Sequence, residues 1–319
     1  METTRRLEQL AEEGDADAQF RLGFRFAFGR PHRGRRDWRR VVRLWRASAE
    51  QGHARAQFYL GTCYDGGRGV RKSVSTAVHW YRLAARQGHD TAQYNLGFSY
   101  REGEGVSRDL RKAVSWFRKA AAHGYPDAQR DLGYALFLGQ GTRRNRGEAT
   151  RWYRQAAEQG DAKAQFNLGL CYHEGDGVRK SERQSVHWHR KAAEQGHPRA
   201  MLHLGYSFQF GDGVPRSESE AFKWFREAAA RGDPEAKGRL GVCYHEGLGT
   251  RKSHRMSAKW YRRGAGEGDG WAQYCLGLCY RDGEGVRRSE REAIRWLKRA
   301  AKKGVEKARA ALAGLGVGV

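Results

Sequence analysis

Gln159–Glu194 reads QGDAKAQFNLGLCYHEGDGVRKSERQSVHWHRKAAE, and the spacing inside this stretch decides the fold. Ala164, Leu168 and Tyr172 fall four residues apart, which puts them on one face of a helix. That helix must stop near Gly175 and Gly177, because glycine accepts the left-handed backbone of a helix C-cap. A second helix opens at Ser181, a capping residue, with Gln184 three places on in capping-box position. It carries Trp188, Ala192 and Ala193 and ends at Gly196. The unit is therefore helix A, glycine turn, helix B, glycine turn.

The same unit recurs outward in both directions. Leu-Gly begins at Leu60, Leu96, Leu132, Leu168, Leu204, Leu240 and Leu276, always 36 residues apart. A Trp keeps the same period at Trp80, Trp116, Trp152, Trp188, Trp224, Trp260 and Trp296. Ser217/Glu220 and Ser289/Glu292 repeat the capping box, while Asp109 and Asn145 cap without it. Leu22-Gly23 precedes the series by 38 residues, so the first unit carries an insertion. There Trp45 stands one place late, with Leu44 in the Trp position.

Two such helices cannot bury their apolar faces alone, and stacking on neighbouring units does it. The spacing predicts an all-α solenoid of antiparallel helix pairs. Residues 14–302 form eight tandem repeats, flanked by an N-terminal half-repeat over 1–13 and a C-terminal partial repeat and tail over 303–319. The helix-B Trp is expected to fill the space between repeats, so that truncation to Ala costs about 3–5 kcal/mol.

The residues that carry the pattern are Ala-Gln-Phe-Asn-Leu-Gly-Leu-Cys-Tyr at 164–172, Gly-Asp-Gly-Val at 175–178 and Trp-Tyr-Arg-Gln-Ala-Ala-Glu-Gln-Gly at 152–160. They resemble the Sel-one-like repeat, a relative of the tetratricopeptide repeat, over nearly the whole chain. The resemblance implies a right-handed superhelix whose members mostly act as adaptors that assemble protein complexes. Ser replaces the acidic residue that often opens helix B in the family. Some secreted bacterial relatives pair cysteines between helices A and B of one unit. Here no helix B carries a Cys, so that framework is absent.

Composition agrees with a folded repeat array. The 42 Gly would suggest a linker, but 10 Trp, 14 Tyr and 13 Phe do not belong to a disordered polymer. Cys63, Cys171, Cys243, Cys275 and Cys279 read as buried small apolar residues in a reducing compartment. Met1–Gly14 has no apolar core of a signal peptide, and no stretch approaches a membrane span. An intracellular monomer without membrane insertion is expected, cytoplasmic and with nuclear entry open to it.

No catalytic motif stands out, and no enzyme activity, cofactor or metal site is expected. Gly-Glu-Gly-Val at 103–106 follows a helix, not a strand, and lacks the third Gly of a dinucleotide loop. Arg71-Lys72-Ser73, Arg179-Lys180-Ser181 and Arg251-Lys252-Ser253 lack the Gly before Lys of a phosphate loop. His173-Glu174 and His245-Glu246 supply too few convergent ligands by themselves and read as solvated helix ends. His187 and His189, two apart on a helix, point in different directions.

Binding is left. With tetratricopeptide geometry, helix A lines a concave groove through the residues two before and two after the Leu of Leu-Gly. Phe58, Tyr94, Phe166 and Tyr274 lie in the earlier column, and Phe98, Tyr134, Leu170 and Tyr206 in the later one. Such a stripe is either an interaction surface rich in aromatic anchors or packing between repeats. The net charge of +24 has its own pattern. Arg82, Arg118, Arg154, Arg190, Arg226, Arg262 and Lys298 follow the helix-B Trp by two, forming either a basic ridge or a solvated face. The densest block is Arg30, Arg33, Arg35, Arg36, Arg39, Arg40, Arg43 and Arg46, opposed only by Asp37. A protein-binding scaffold is the expected function. The alternative is a weak, salt-sensitive binder of nucleic acid or another polyanion through these arginines.

Overall fold

A computed structural model describes residues 4–29 and 37–317, and among these every regular element is an α-helix. The chain packs as two compact units, Met1–Gln159 and Gly160–Val319. The first unit holds α1 (Thr4–Glu12), α2 (Ala16–Phe28), α3 (Trp38–Glu50), α4 (Ala54–Gly66), α5 (Val74–Arg86), α6 (Asp90–Glu102), α7 (Leu110–Ala122), α8 (Pro126–Leu138) and α9 (Arg146–Glu158). The second holds α10 (Ala162–Glu174), α11 (Glu182–Glu194), α12 (Pro198–Phe210), α13 (Glu218–Ala230), α14 (Pro234–Glu246), α15 (His254–Gly266), α16 (Gly270–Asp282), α17 (Glu290–Lys302) and α18 (Glu306–Ala313). Within each unit, helices adjacent in sequence pack on one another. Short connections make such neighbours antiparallel.

Capping fixes the lengths. Each helix A from α4 to α16 ends on a left-handed glycine: Gly67, Gly103, Gly139, Gly175, Gly211, Gly247 or Gly283. Ser181 caps α11 by accepting from the Gln184 amide at 3.4 Å. The reciprocal half of the expected capping box is not made. The Ser181 backbone N–H donates instead to the Tyr172 carbonyl at 2.9 Å, and Ser217 and Ser289 donate likewise to Phe208 and Tyr280. The preceding helix A has taken the donor that a box would use.

The leucines of Leu-Gly and the alanines four residues before them are completely buried from Ala56/Leu60 to Ala272/Leu276. A glutamine after that alanine staples the layers. Gln57, Gln93 and Gln273 donate to the carbonyls of Ala49, Ala85 and Ala265 at 3.1, 3.2 and 3.1 Å. Gln57, Gln129 and Gln165 each accept at 2.8 Å from the glutamine thirty residues on. These bonds satisfy amides that would otherwise be buried at a cost of about 1–3 kcal/mol each.

The Trp column fills the space between repeats only in part, short of the sequence expectation. Trp188 is buried, but Trp80, Trp116, Trp152, Trp224, Trp260 and Trp296 are only partly so. The buried position is the next residue: Tyr81, Phe117, Tyr153, His189, Phe225, Tyr261 and Leu297. Each of these lies over the glycine of its own repeat's Leu-Gly. Trp45 sits in the same register, over Gly23, and donates its indole N–H to the Phe20 carbonyl at 3.2 Å. The first repeat is therefore regular at this point. Most of these Trp residues lie toward the rim of helix B, and at Trp116, Trp188, Trp260 and Trp296 a cation three residues on covers the ring. Lys119 stands 4.3 Å from the Trp116 centroid, and Arg263 4.8 Å from that of Trp260.

Candidate interaction face

The two sequence columns of helix A part company. In the earlier column the rings lie against the residue that caps the next helix A. Phe58 stacks on His89 at 4.5 Å and Phe166 on His197 at 4.7 Å, while Tyr94 lies 5.2 Å from Tyr125. Tyr274 packs against the buried cluster that contains Leu297, Ala308 and Leu312. All four are half-buried, and their faces are largely spent between repeats. His89 and His197 also accept the Ala92 and Ala200 amides through Nδ1, at 3.3 and 3.2 Å. Burial lowers the pKa of both imidazoles, which suits a ring nitrogen that must stay unprotonated to cap.

The later column is more open. Tyr134 is exposed, whereas Phe98, Leu170 and Tyr206 are half-buried. The Arg101 guanidinium lies 4.8 Å over the Phe98 ring. The Tyr206 hydroxyl donates to Glu235 and accepts from Arg239 Nε at 2.6 Å. Burial pushes its phenol well above the usual range.

A third position went unread in the sequence. The exposed large apolar side chains among the described residues are Phe24, Phe28, Tyr134, Leu138 and Phe210. Phe24 and Tyr134 stand two after the Leu of Leu-Gly, while Phe28, Leu138 and Phe210 stand six after it. The two positions are one helical turn apart, so they make one stripe on helix A. The signal was available, since i+4 from the later column reaches these residues. It is faint because Gly66, Glu102, Glu174, Glu246 and Asp282 occupy the position elsewhere. In the first unit the stripe opens on a concavity of about 440 Å³ lined by Leu7, Phe20, Phe24, Phe28, Arg21 and Arg55. In the second, Phe210 is 62% exposed and lies over Tyr206 with ring centroids 6.3 Å apart.

Of the basic block, Arg30, Arg33, Arg35 and Arg36 lie outside the described residues. Arg39, Arg40, Arg43 and Arg46 are exposed on α3. Arg40 pairs with Glu8 at 3.3 Å and covers the Phe26 ring at 4.3 Å. Arg46 donates to the Tyr64 hydroxyl at 2.7 Å, as Arg262 does to Tyr280 at 3.0 Å. Arg46 and Arg262 hold the same repeat position, so part of the basic ridge is engaged in packing.

The five cysteines carry no disulfide. Burial pushes the thiols of Cys63 and Cys243 up to about 11, and those of Cys275 and Cys279 to about 12. Thiols held that far from the thiolate are poor nucleophiles. No described helix is long and apolar enough to cross a membrane.

Fold and face define an all-α helical-repeat protein with exposed apolar side chains on α2, α8 and α12. The chain belongs to the Sel1 repeat family, whose model matches residues 16–53, 54–89, 90–125, 126–161, 162–197, 198–233, 234–269 and 272–305. Among solved structures it resembles a protective antigen of uropathogenic Escherichia coli displaying an SLR fold. That match has 36% identity and a TM-score of 0.87, covering 100% of this chain and 68% of the antigen. It also resembles a Sel1 repeat protein from Oxalobacter formigenes, at 36% identity and a TM-score of 0.74, covering 98% of this chain and 89% of that one. A comparison with curated proteins finds no match. Sel1 repeat proteins generally act as protein-interaction scaffolds.

Proposed function

We propose that this protein is a non-catalytic scaffold that docks an apolar segment of another protein on the helix-A stripe. One observation carries the reading: the exposed large apolar side chains fall at two repeat positions on one helical face, rather than being scattered. Exposed apolar stripes of this kind mark interaction sites, and aromatic side chains supply most hot spots. The engaged arginines Arg40 and Arg46 give the polyanion reading no comparable support. Free buried thiols suit an intracellular location.

The test is affinity capture from the native host with wild type and with Phe28→Ser, Tyr134→Ser and Phe210→Ser. These side chains are solvent-exposed, so helicity and Tm should hold within about 0.5 kcal/mol of stability. Specific partners should be lost. Capture that is unchanged by all three substitutions would sink the proposal.

A further inference from the structure

Three side chains able to ligate a metal, from separate elements of the second unit, come together. His245 is the penultimate residue of α14, His254 opens α15, and Glu284 follows the C-cap Gly283 of α16. Their convergence has a backbone cause. Gly285 presses on the His254 carbonyl so closely that any β-carbon there would collide with it, which holds Glu284 beside α15. His245 Nε2 lies 2.9 Å from Glu284 Oε2, and His254 Nδ1 lies 3.5 Å from the same oxygen. His245 Nδ1 faces Glu246 Oε1 at 2.7 Å. His254 Nδ1 is shielded from solvent and makes no hydrogen bond.

An imidazole nitrogen that carries no proton is a metal ligand. His245 Nε2 and His254 Nδ1 both face the same Glu284 oxygen, and His254 Nδ1 has no hydrogen-bond partner, so the three ligand atoms lie close enough to share one cation. We infer that His245, His254 and Glu284 bind a zinc-class divalent cation, which ties the seventh repeat to the eighth.

The dimensions fit. The three ligand atoms lie within 4.8 Å of one another. The observed 2.9 and 3.5 Å bracket the roughly 3.3 Å that separates tetrahedral ligands placed about 2.0–2.1 Å from zinc. The side chains are partly exposed, so a fourth position stays open to water. Two imidazoles and one carboxylate favour zinc-class ions over magnesium or calcium. Glu246 supplies the outer carboxylate that orients a ligating histidine. The site is particular to this register. The matching positions two repeats earlier are His173, Glu182 and Asp212, and there Glu182 pairs with His173 at 2.8 Å where a second imidazole would be needed.

The experiment titrates zinc chloride into the metal-free full chain by calorimetry at pH 7.5, with a parallel thermal melt. Wild type should bind one equivalent at micromolar affinity or better, and zinc should raise its Tm while magnesium does not. His254→Ala and Glu284→Gln should abolish that equivalent with helicity retained. Glu246→Gln should weaken it by about 10–100-fold, as loss of an orienting partner does. His173→Ala should leave it unchanged. Absence of zinc binding by wild type overturns the proposal, and so does binding that survives both His254→Ala and Glu284→Gln.

Discussion

Gly97 of α6 lies beneath the Phe117 ring of α7: a β-carbon on Gly97 would stand 2.7 Å from Phe117 Cδ1 and 3.3 Å from the Ala113 carbonyl oxygen. The glycine in Leu-Gly is therefore a seat for the next helix's aromatic, and not a flexibility device. Gly61 under Tyr81 and Gly133 under Tyr153 repeat the arrangement in the first unit. Helix A gives up about 1 kcal/mol of propensity at each such glycine. The close approach of helix B offsets that loss with a buried ring.

This relationship predicts which residue of helix B holds a repeat together. Phe117→Ala should destabilise the chain by about 3–5 kcal/mol, as for other buried aromatics. Trp116→Ala should cost about 1–2 kcal/mol, because the ring is only half-buried and its cation–π partner Lys119 is exposed. Gly97→Ala should cost about 1–3 kcal/mol through overpacking, despite the better helix former. Urea midpoints of the three variants check the order. A larger loss for Trp116→Ala than for Phe117→Ala would restore the reading drawn from the Trp period.

That reversal shows what the sequence made legible. The 36-residue period, the helix pair, the glycine stops and the serine caps could all be read directly, because each rests on residue types with one strong local preference. The filler could not. The Trp column is invariant in type, while the buried column mixes Tyr81, Phe117, His189 and Leu297, so the eye follows the rim. Trp45 then looks displaced, although it occupies the buried register. The face was half legible for a related reason. The earlier column reads as a groove until His89, Tyr125 and His197 are seen to cover it, and those contacts join different repeats. The His245, His254 and Glu284 cluster was out of reach, since its members come from three elements and only the pressing of Gly285 on His254 aligns them.

Acid should unfold the second unit earlier than its charge would suggest. His189 occupies the aromatic register over Gly169, and burial, then His203 and His173, lowers its pKa to about 3. Burial, then Arg199 and His173, lowers that of His203 to about 4, with Glu235 opposing and His197 adding to the fall. Both folded values lie below the ordinary 6.5, so the unfolded chain binds more protons across the interval. Stability is then full above about pH 6.5 and falls as pH drops toward the folded values. For His189 alone the loss between pH 7 and 4 is on the order of 3 kcal/mol. His189→Phe, the side chain found at Phe117 and Phe225, should flatten this dependence. Thermal melts from pH 7.5 to 4 check it, and parallel curves for wild type and His189→Phe would exclude His189 as the cause.

The final prediction concerns the one staple built from charge. Lys237 of α14 stands where Gln57, Gln129 and Gln165 stand in other repeats, and Glu267 stands where their partners Gln87, Gln159 and Gln195 do. The Lys237 ammonium reaches both Glu267 oxygens. Its side chain is 11% exposed, while that of Glu267 is 46% exposed. Losing the exposed partner strands a largely buried cation, so Glu267→Gln should destabilise by about 1–3 kcal/mol. Lys237→Gln alone should cost less, because a glutamine at 237 can donate to the Ala229 carbonyl, as Gln57 does to Ala49, and the carboxylate left behind is solvated. The double substitution recreates the Gln–Gln staple of the other repeats and should recover most of the loss. A double-mutant cycle on urea midpoints should then give a coupling of about 0.5–3 kcal/mol. Additive losses would mean that the ion pair contributes nothing beyond its separate side chains, and that the staple is not interchangeable between repeats.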